Sequence, residues 1–168
     1  GGVHTPNHRW ELTAALMRLH RHRPDPRLEA RAHEWLAEGI DVDADGLYSE
    51  RSANYAVYVS NPSLLLIGDV LDLPELHEIV ARNLEATLGL IYSDGSLETV
   101  HSRRQDQREP QFPLAPYALH FRRLALETGR SDFAWAARAA ASAPVIDPQT
   151  ALADMLLPPA LREPLPAG

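Results

Sequence analysis

The sequence lacks cysteine and lysine altogether. Without cysteine the chain forms neither a disulfide nor a thiolate metal site, so cysteine usage says nothing about the redox compartment. All 16 basic residues are arginine, the better side chain for bidentate recognition of carboxylates. A GC-rich genome, which favours arginine, alanine and proline codons, accounts for the same bias. The arginine content therefore leaves both explanations open.

An excess of positive charge and long apolar runs are also missing. The formal net charge is −7, whereas a general nucleic-acid binder presents a basic face to the phosphates. The apolar run Leu64–Ile67 is soon interrupted by Asp69 and falls far short of the roughly 20 apolar residues of a membrane span. We therefore expect neither nucleic acid nor a membrane as the partner.

The remaining composition is that of a globular domain. The 168 residues are 45% hydrophobic and 23% charged, which suffices for one domain with a core. The chain begins with Gly-Gly-Val-His and ends in a proline-rich run, so we interpret it as a piece of a longer polypeptide. We expect a helical domain over residues 1–157 and a tail or linker without structure of its own over residues 158–168.

Helix start signals recur along the first half of the chain. Thr5-Pro6 and Asp25-Pro26 each pair an N-cap residue with a proline at the first helical position, and they predict helices over 6–20 and from 26 to Gly39. The first helix should bury one broad apolar stripe, formed by Trp10, Leu12, Ala14, Leu16, Met17 and Leu19.

A third helix should begin near Ser52. Asn61-Pro62 should kink or divide it, because proline lacks the amide hydrogen and its ring crowds the preceding turn. Asp72-Leu73-Pro74 starts a fourth helix with a clear apolar stripe. Further along we predict a short strand or extended segment at 97–102 and an irregular connection at 103–113. Three more helices should follow, over about 115–128, over 132–143 and from Asp147-Pro148.

The predicted fold is therefore all-α, built from stacked antiparallel helical hairpins. Such hairpins form solenoids or closed (α/α) toroids, and we expect part of an incomplete toroid. Polar clusters fall at helix starts on alternate connections, which should place them at one end of the assembly. Helix N-termini there offer free amides and a positive dipole to an anion.

Two of these clusters carry the residues with the most chemistry, Thr5–Arg9 and Asp45–Tyr55. Each residue also has a structural explanation. Asn7 could cap its helix, His8 could be an ordinary surface imidazole, and Tyr55 could fill the core. Arg51 and Glu50 could pair with each other or with Asp45.

A calcium loop is the next alternative. Asp41, Asp43 and Asp45, followed by Gly46, match the first half of an EF-hand loop. The twelfth position is Ser52 rather than glutamate, so we expect Asx turns and no metal.

The third polar cluster is His101–Asp106. Arg103 and Arg104 are adjacent, and two adjacent arginines cannot both face one ligand if the chain is extended there. At most one of them should reach a substrate.

The first two clusters together carry a family resemblance. Asn7-His8-Arg9-Trp10 opening a helix, then Asp45-Gly46-x-Tyr48-x-Glu50-x-Ser52-x-x-Tyr55 entering another, resembles the (α/α)-toroid domain of heparinase II/III-type polysaccharide lyases and the related alginate lyases. The likeness covers roughly residues 4–128. It implies β-elimination at a uronic acid without a cofactor, acting on an anionic polysaccharide or oligosaccharide. It also implies a C-terminal β-sandwich domain in the full-length chain, and a bacterial protein that is periplasmic or secreted.

The resemblance also implies roles for individual residues. Asn7 would neutralise the substrate carboxylate, His8 would assist it or act as the base, and Tyr55 would transfer the proton. The substrate-binding residues implied by position are Arg9, Tyr48, Glu50, Arg51, Arg103 and Arg104.

The chemistry of elimination fits these residue types. A proton next to an ionised carboxylate is barely acidic, so the site must offset the charge that builds in the transition state. A tyrosine has an ordinary pKa of about 10 and needs nearby positive charge to act as a base at neutral pH. Arg9, Arg51 and Arg103 are the sequence candidates for that charge.

Two rival functions remain open. A toroid glycoside hydrolase would need a carboxylate pair, for which Glu50 and Asp45 are the candidates. A non-catalytic helical module that binds carbohydrate or serves as a scaffold predicts that Asn7, His8 and Tyr55 point away from one another.

Overall fold

Helices make up most of the molecule, as the sequence predicts. The computed structural model describes residues 5–108, 112–143, 148–149, 152, 156 and 159–167. Its α-helices are α1 Pro6–His22, α2 Pro26–Leu36, α3 Ala53–Tyr55, α4 Asn61–Leu71, α5 Pro74–Leu88, α6 Ala118–Thr128 and α7 Ser131–Ala141. Short 3₁₀ turns lie at Gln105–Arg108, Ala115–Tyr117 and Pro159–Arg162.

One two-stranded sheet is described. Strands β1, Ser96–Leu97, and β2, Phe112–Pro113, pair antiparallel, with Ser96 opposite Pro113 and Leu97 opposite Phe112. The strand predicted within 97–102 is therefore shorter than expected and begins one residue earlier. Its partner lies at the end of the connection that was predicted to be irregular.

The proline start signals are confirmed for the first two helices. Thr5 and Asp25 both have extended backbone before a helix that opens with proline, and the Asp25 side chain accepts a hydrogen bond from the Arg27 amide. The Thr5 side chain makes no such bond. Because each proline has a fixed φ and no amide to leave unpaired, it suits the first helical position.

The buried face of α1 is narrower than predicted. Trp10, Ala14 and Met17 are buried, but Leu12 and Leu19 are 47% and 53% exposed. Successive helical residues are rotated by about 100°, so Leu12 and Leu19 lie away from the face that Trp10 occupies. That face packs against α2 and α4, and the predicted broad stripe is wrong for these two leucines.

The helix through Pro62 is continuous rather than divided. Residues Ala56–Ser60 form a π-helical turn between α3 and α4, in which the Asn61 amide donates to the Ala56 carbonyl five residues back. The wider turn relieves the crowding that proline imposes on the residues before it. The predicted break is thus a π-helical turn directly after Tyr55.

Helices adjacent in the chain pack as hairpins around one core. α1 packs on α2, α4 on α5, and α6 on α7, while α1–α4 and α5–α6 contacts join the pairs. Asp72 and Gly129, both in the left-handed region, reverse the chain after α4 and α6. The largest fully buried side chains are Trp10, Tyr117, Phe121, Phe133 and Met17.

The C-terminal segment differs from the expected structureless tail. Leu161 is buried, and the Arg122 guanidinium donates to the carbonyl oxygens of Leu161 and Glu163 at 2.5 and 2.6 Å. Residues 161–163 therefore lie against α6, and the Pro166 carbonyl accepts a hydrogen bond from Arg138 of α7. The helix predicted from Asp147-Pro148 falls largely outside the described residues.

Within the described ranges, no helix combines the length and the apolar character of a membrane span.

Candidate functional site

The loop before α3 is closed by its own aspartates. Asp43 Oδ1 accepts from the amides of Asp45 and Leu47 at 3.0 and 2.9 Å. Asp41 accepts from Trp10 Nε1 at 3.2 Å and from the Ser49 hydroxyl at 2.6 Å. The bond from the Asp45 amide to Asp43 forms an Asx turn, as expected. In the described part of the chain no three histidine, aspartate or glutamate side chains are grouped to hold a metal.

Gly46 fixes the path of this loop. It has φ of +87°, and a Cβ built there would lie 2.5 Å from the Arg82 carbonyl oxygen. A side chain at this position would therefore meet both backbone strain and a steric clash with α5.

Arg51 makes the loop turn sharply into α3. Its φ of +49° lies in the left-handed region, which is unfavourable for a residue with a Cβ. Its guanidinium donates to Asp43 at 2.9 Å. The neighbouring Glu50 instead lies 3.9 Å from the Arg104 guanidinium. The two adjacent side chains thus have different partners, rather than each other.

Tyr55 and Arg104 form the closest contact between two of the predicted site residues. The Arg104 Nη2 atom donates to the Tyr55 hydroxyl oxygen at 2.6 Å. The guanidinium carbon also lies 4.2 Å from the centre of the Tyr55 ring. The bond to Tyr55 raises the pKa of Arg104, so the guanidinium is a permanent positive charge beside the phenol.

Glu50 and His8 complete this group, and we call Tyr55, Arg104, Glu50 and His8 the Tyr55 cluster. Burial raises the pKa of Glu50, and the Arg104 and His8 charges oppose part of that rise. His8, at the start of α1, joins the group through this electrostatic effect on Glu50 rather than through a hydrogen bond or an ion pair. His8 itself is exposed.

Asn7 is buried beside His8, at 2% exposure, and its Oδ1 atom has no hydrogen-bond partner. It is the second residue of α1, and no side chain caps this helix. The capping explanation of Asn7 therefore finds no support. A buried acceptor without a partner is costly, and it is the kind of group that a ligand or a water satisfies.

Three predicted substrate-binding residues have partners away from the Tyr55 hydroxyl. Arg9 pairs with Glu38 and lies over the Trp10 ring. Tyr48 is buried, its hydroxyl donates to Asn61 at 2.7 Å, and burial raises its pKa well above the ordinary value. Arg103 is exposed and donates to the Ser49 carbonyl at 3.1 Å.

A buried aspartate that the sequence reasoning missed is bonded to the first turn of the helix that carries Tyr55. Asp106 is 3% exposed, and its carboxylate accepts from the hydroxyls of Ser52 and Ser102 at 2.9 and 2.6 Å and from the Asn54 amide at 3.3 Å. Ser52 is 54 residues away in the chain. No local motif predicts that contact.

A small cleft with about 20 Å³ of internal space lies at the same loop, among Arg51, Glu98, His101 and Tyr117. None of Asn7, His8, Tyr55 and Arg104 lines it. Volume alone favours a different cleft, of about 300 Å³, which is lined by Asp94, Pro113 and Ala140 among others. The Tyr55 cluster instead has the contact between a cation and a phenol, together with a buried Arg104 Nε atom that has no partner. We therefore place the candidate site at the Tyr55 cluster.

Comparison of the chain with protein-family models, with curated proteins and with solved structures finds no significant match.

Proposed function

We propose that this chain is the helical part of a uronate polysaccharide lyase that cleaves by β-elimination, with its hairpins forming part of an incomplete (α/α) toroid. One observation carries the proposal. The Arg104 guanidinium both donates to the Tyr55 hydroxyl and lies over its ring.

Elimination requires a base that can take a weakly acidic proton from C5 of the sugar. A positive charge within hydrogen-bonding distance favours a phenolate over a phenol. Arg104 has the role that the sequence argument gave to Arg9, Arg51 or Arg103, and those three have other partners. Tyr55 is the base, and the same oxygen then protonates the leaving glycosidic oxygen.

The substrate carboxylate needs its charge offset as the transition state forms. Asn7 lies at the start of α1, where the helix dipole favours an anion. Its unpaired Oδ1 atom is an acceptor and suits a sugar hydroxyl, so the donor to the carboxylate would be the Asn7 Nδ2 group. His8 is exposed and close enough to affect Glu50. In this proposal Asn7 and His8 hold the carboxylate, while Tyr55 transfers the proton.

Tyr55→Phe tests the proposal. Turnover of uronate polysaccharides should fall to background because the proton-transferring oxygen is gone, while oligosaccharide binding and the melting temperature stay nearly unchanged. Elimination is followed by the ultraviolet absorbance of the new C4–C5 double bond, and binding by calorimetry.

Tyr92→Phe is the matched control. Tyr92 is exposed and its hydroxyl pairs with Glu98, so this variant should retain full turnover. Elimination at the wild-type rate by Tyr55→Phe would remove Tyr55 from the mechanism.

A glycoside hydrolase is the second candidate, because burial raises the pKa of Glu50, as a general acid requires. The carboxylates that act on Glu50 are Asp41 and Asp106 rather than the predicted partner Asp45. Products with new reducing ends but no double-bond absorbance, lost in Glu50→Gln, would favour hydrolysis. Binding without any product would favour the non-catalytic module.

A further inference from the structure

Tyr55 and Arg104 come from segments 49 residues apart, so some contact must hold the two segments together. We infer that Asp106 makes this contact, as a positioning residue that aligns Tyr55 with Arg104 through two serines. The inference rests on the proposed function for its importance in turnover, but not for its geometry.

The first arm runs from Asp106 to Tyr55. The Tyr55 backbone amide donates to Ser52 Oγ at 3.1 Å, and Ser52 Oγ donates to Asp106 Oδ2 at 2.9 Å. The same carboxylate oxygen accepts from the Asn54 amide at 3.3 Å. Asp106 thereby fixes the first turn of the helix that carries Tyr55.

The second arm runs from Asp106 to Arg104. The Arg104 backbone amide donates to Ser102 Oγ at 3.1 Å, and Ser102 Oγ donates to Asp106 Oδ1 at 2.6 Å. The two arms are equivalent in chemistry, because each serine accepts from an amide of a site residue and donates to one oxygen of the carboxylate. We call Asp106, Ser52 and Ser102 the serine bracket.

The bracket requires an acceptor with two oxygens at its centre. Each serine oxygen is already accepting from an amide, so its own hydrogen is free to donate inward. An alanine at position 106 would leave both hydroxyls and the Asn54 amide without acceptors. An asparagine has nearly the same shape and can bond one serine as acceptor and the other as donor.

The bracket accounts for a burial that is otherwise costly. A buried carboxylate needs hydrogen bonds or a cation to offset its desolvation, and none of the described cations donates a hydrogen bond to Asp106. Charge-assisted bonds from two hydroxyls and an amide supply the compensation. The buried carboxylate therefore holds the two serines that bind the backbone amides of Tyr55 and Arg104.

The test is a nuclear magnetic resonance measurement on the unliganded chain. In the wild type, the Arg104 side chain should show cross-relaxation with the Tyr55 ring, assigned by the change of its aromatic frequency in Tyr55→Phe. Asp106→Ala should abolish this cross-peak and lower kcat about 10²-fold, since a displacement near 1 Å can cost that much, with KM changed less than twofold. Asp106→Asn should restore the cross-peak and most of kcat.

Asp69→Ala is the control, because Asp69 is also a carboxylate with several partners but belongs to another part of the fold. It should lower the melting temperature and keep the cross-peak. If Asp106→Ala does not fold, Ser52→Ala and Ser102→Ala each remove one arm and should each weaken the cross-peak.

The outcomes separate the two hypotheses. A cross-peak of wild-type intensity in folded Asp106→Ala, or in both serine variants, overturns the inference. Loss of the cross-peak in a chain that produces no double bond from any uronate substrate leaves the positioning role in place and counts against the lyase proposal alone.

Discussion

Two polar clusters of similar composition lie in different parts of this molecule. One is the Tyr55 cluster at the start of α3. The other, which we call the His77 network, contains Asp69, His77, Arg123 and Glu127 and connects α4, α5 and α6. Each has a histidine, an arginine and at least one carboxylate, so residue types alone do not distinguish them.

The His77 network is closed. His77 Nδ1 lies 3.0 Å from Glu127, and Nε2 lies 3.3 Å from Asp69. Arg123 bonds both oxygens of Asp69 and also Glu127. Bonds to the two carboxylates raise the pKa of His77 to about 9, and its side chain is close against Gly68, where a Cβ would lie 2.7 Å away. All its charged groups have partners within the network.

The Tyr55 cluster is open by comparison. Arg104 Nε is buried without a partner, as is Oδ1 of Asn7, which precedes His8 in the chain. The cluster adjoins a π-helical turn, and Arg51 next to Glu50 has a left-handed backbone. Unpaired buried groups and backbone strain cost stability, and they occur together at sites where a ligand recovers the cost. What distinguishes a structural network from a candidate site is therefore whether its polar groups all have hydrogen-bond or ion-pair partners, rather than which charges it contains.

The same substitution made in both clusters tests this distinction most strongly. Arg104→Leu should lower kcat by roughly 10²–10³-fold, because a preorganised charge at the reacting group is lost, and should shift the melting temperature little. Arg123→Leu should do the reverse, retaining kcat and losing about 1–3 kcal/mol of the free energy of unfolding. Elimination kinetics and urea titrations measure both effects. Equal kinetic losses in the two variants would refute the distinction.

Stability should depend on alkaline pH through the His77 network. The folded pKa of His77 is about 9 and the unfolded value is about 6.5. The stabilisation is therefore complete below pH 6.5 and is lost as the pH rises through 9. The loss should be on the order of 2 kcal/mol after allowance for solvent screening. Denaturant titrations from pH 6 to pH 10 measure it.

His77→Gln is the control for that titration, since it has no charge to lose. Its free energy of unfolding should show a clearly smaller decrease over the same range. A decrease in the variant as steep as in the wild type would assign the alkaline loss to other groups.

The smallest expected effect concerns the strained residue beside the Tyr55 cluster. Both Arg51→Gly and Arg51→Ala remove the ion pair with Asp43, but only glycine relieves the left-handed strain. Arg51→Gly should therefore be more stable than Arg51→Ala by about 1 kcal/mol, the reverse of the usual order. Thermal unfolding of the pair measures the difference, and the ordinary order would show that position 51 is unstrained.

Much of the helical framework could be predicted because its signals are local. Proline after Thr5, Asp25 and Leu73 sets the starts of α1, α2 and α5, and the stripe of α5 buries Leu76, Val80 and Leu84 as expected. The outcome at Pro62 was not predictable, since a π-helical turn depends on the packing around it as well as on the proline itself.

The candidate site was predicted in composition and only partly in arrangement. Tyr55, Glu50 and Arg104 do lie together, but the guanidinium beside the phenol belongs to Arg104 rather than to Arg9, Arg51 or Arg103. Tyr48, named from its position in the motif, points into the core toward Asn61. The bond that holds Tyr48 joins it to a residue of α4, and the positive φ at Arg51 has no sequence signature.

By itself, the sequence determined the all-α class, the helix starts and the group of residue types available for chemistry, because those depend on a few neighbouring residues. Only the tertiary structure decided which guanidinium meets the phenol, that Asp106 connects to both residues through two serines, and that the Asn7 oxygen is left unpaired. Those contacts join segments about 50 residues apart. They depend on how helices of fixed length pack, which no short stretch of sequence encodes.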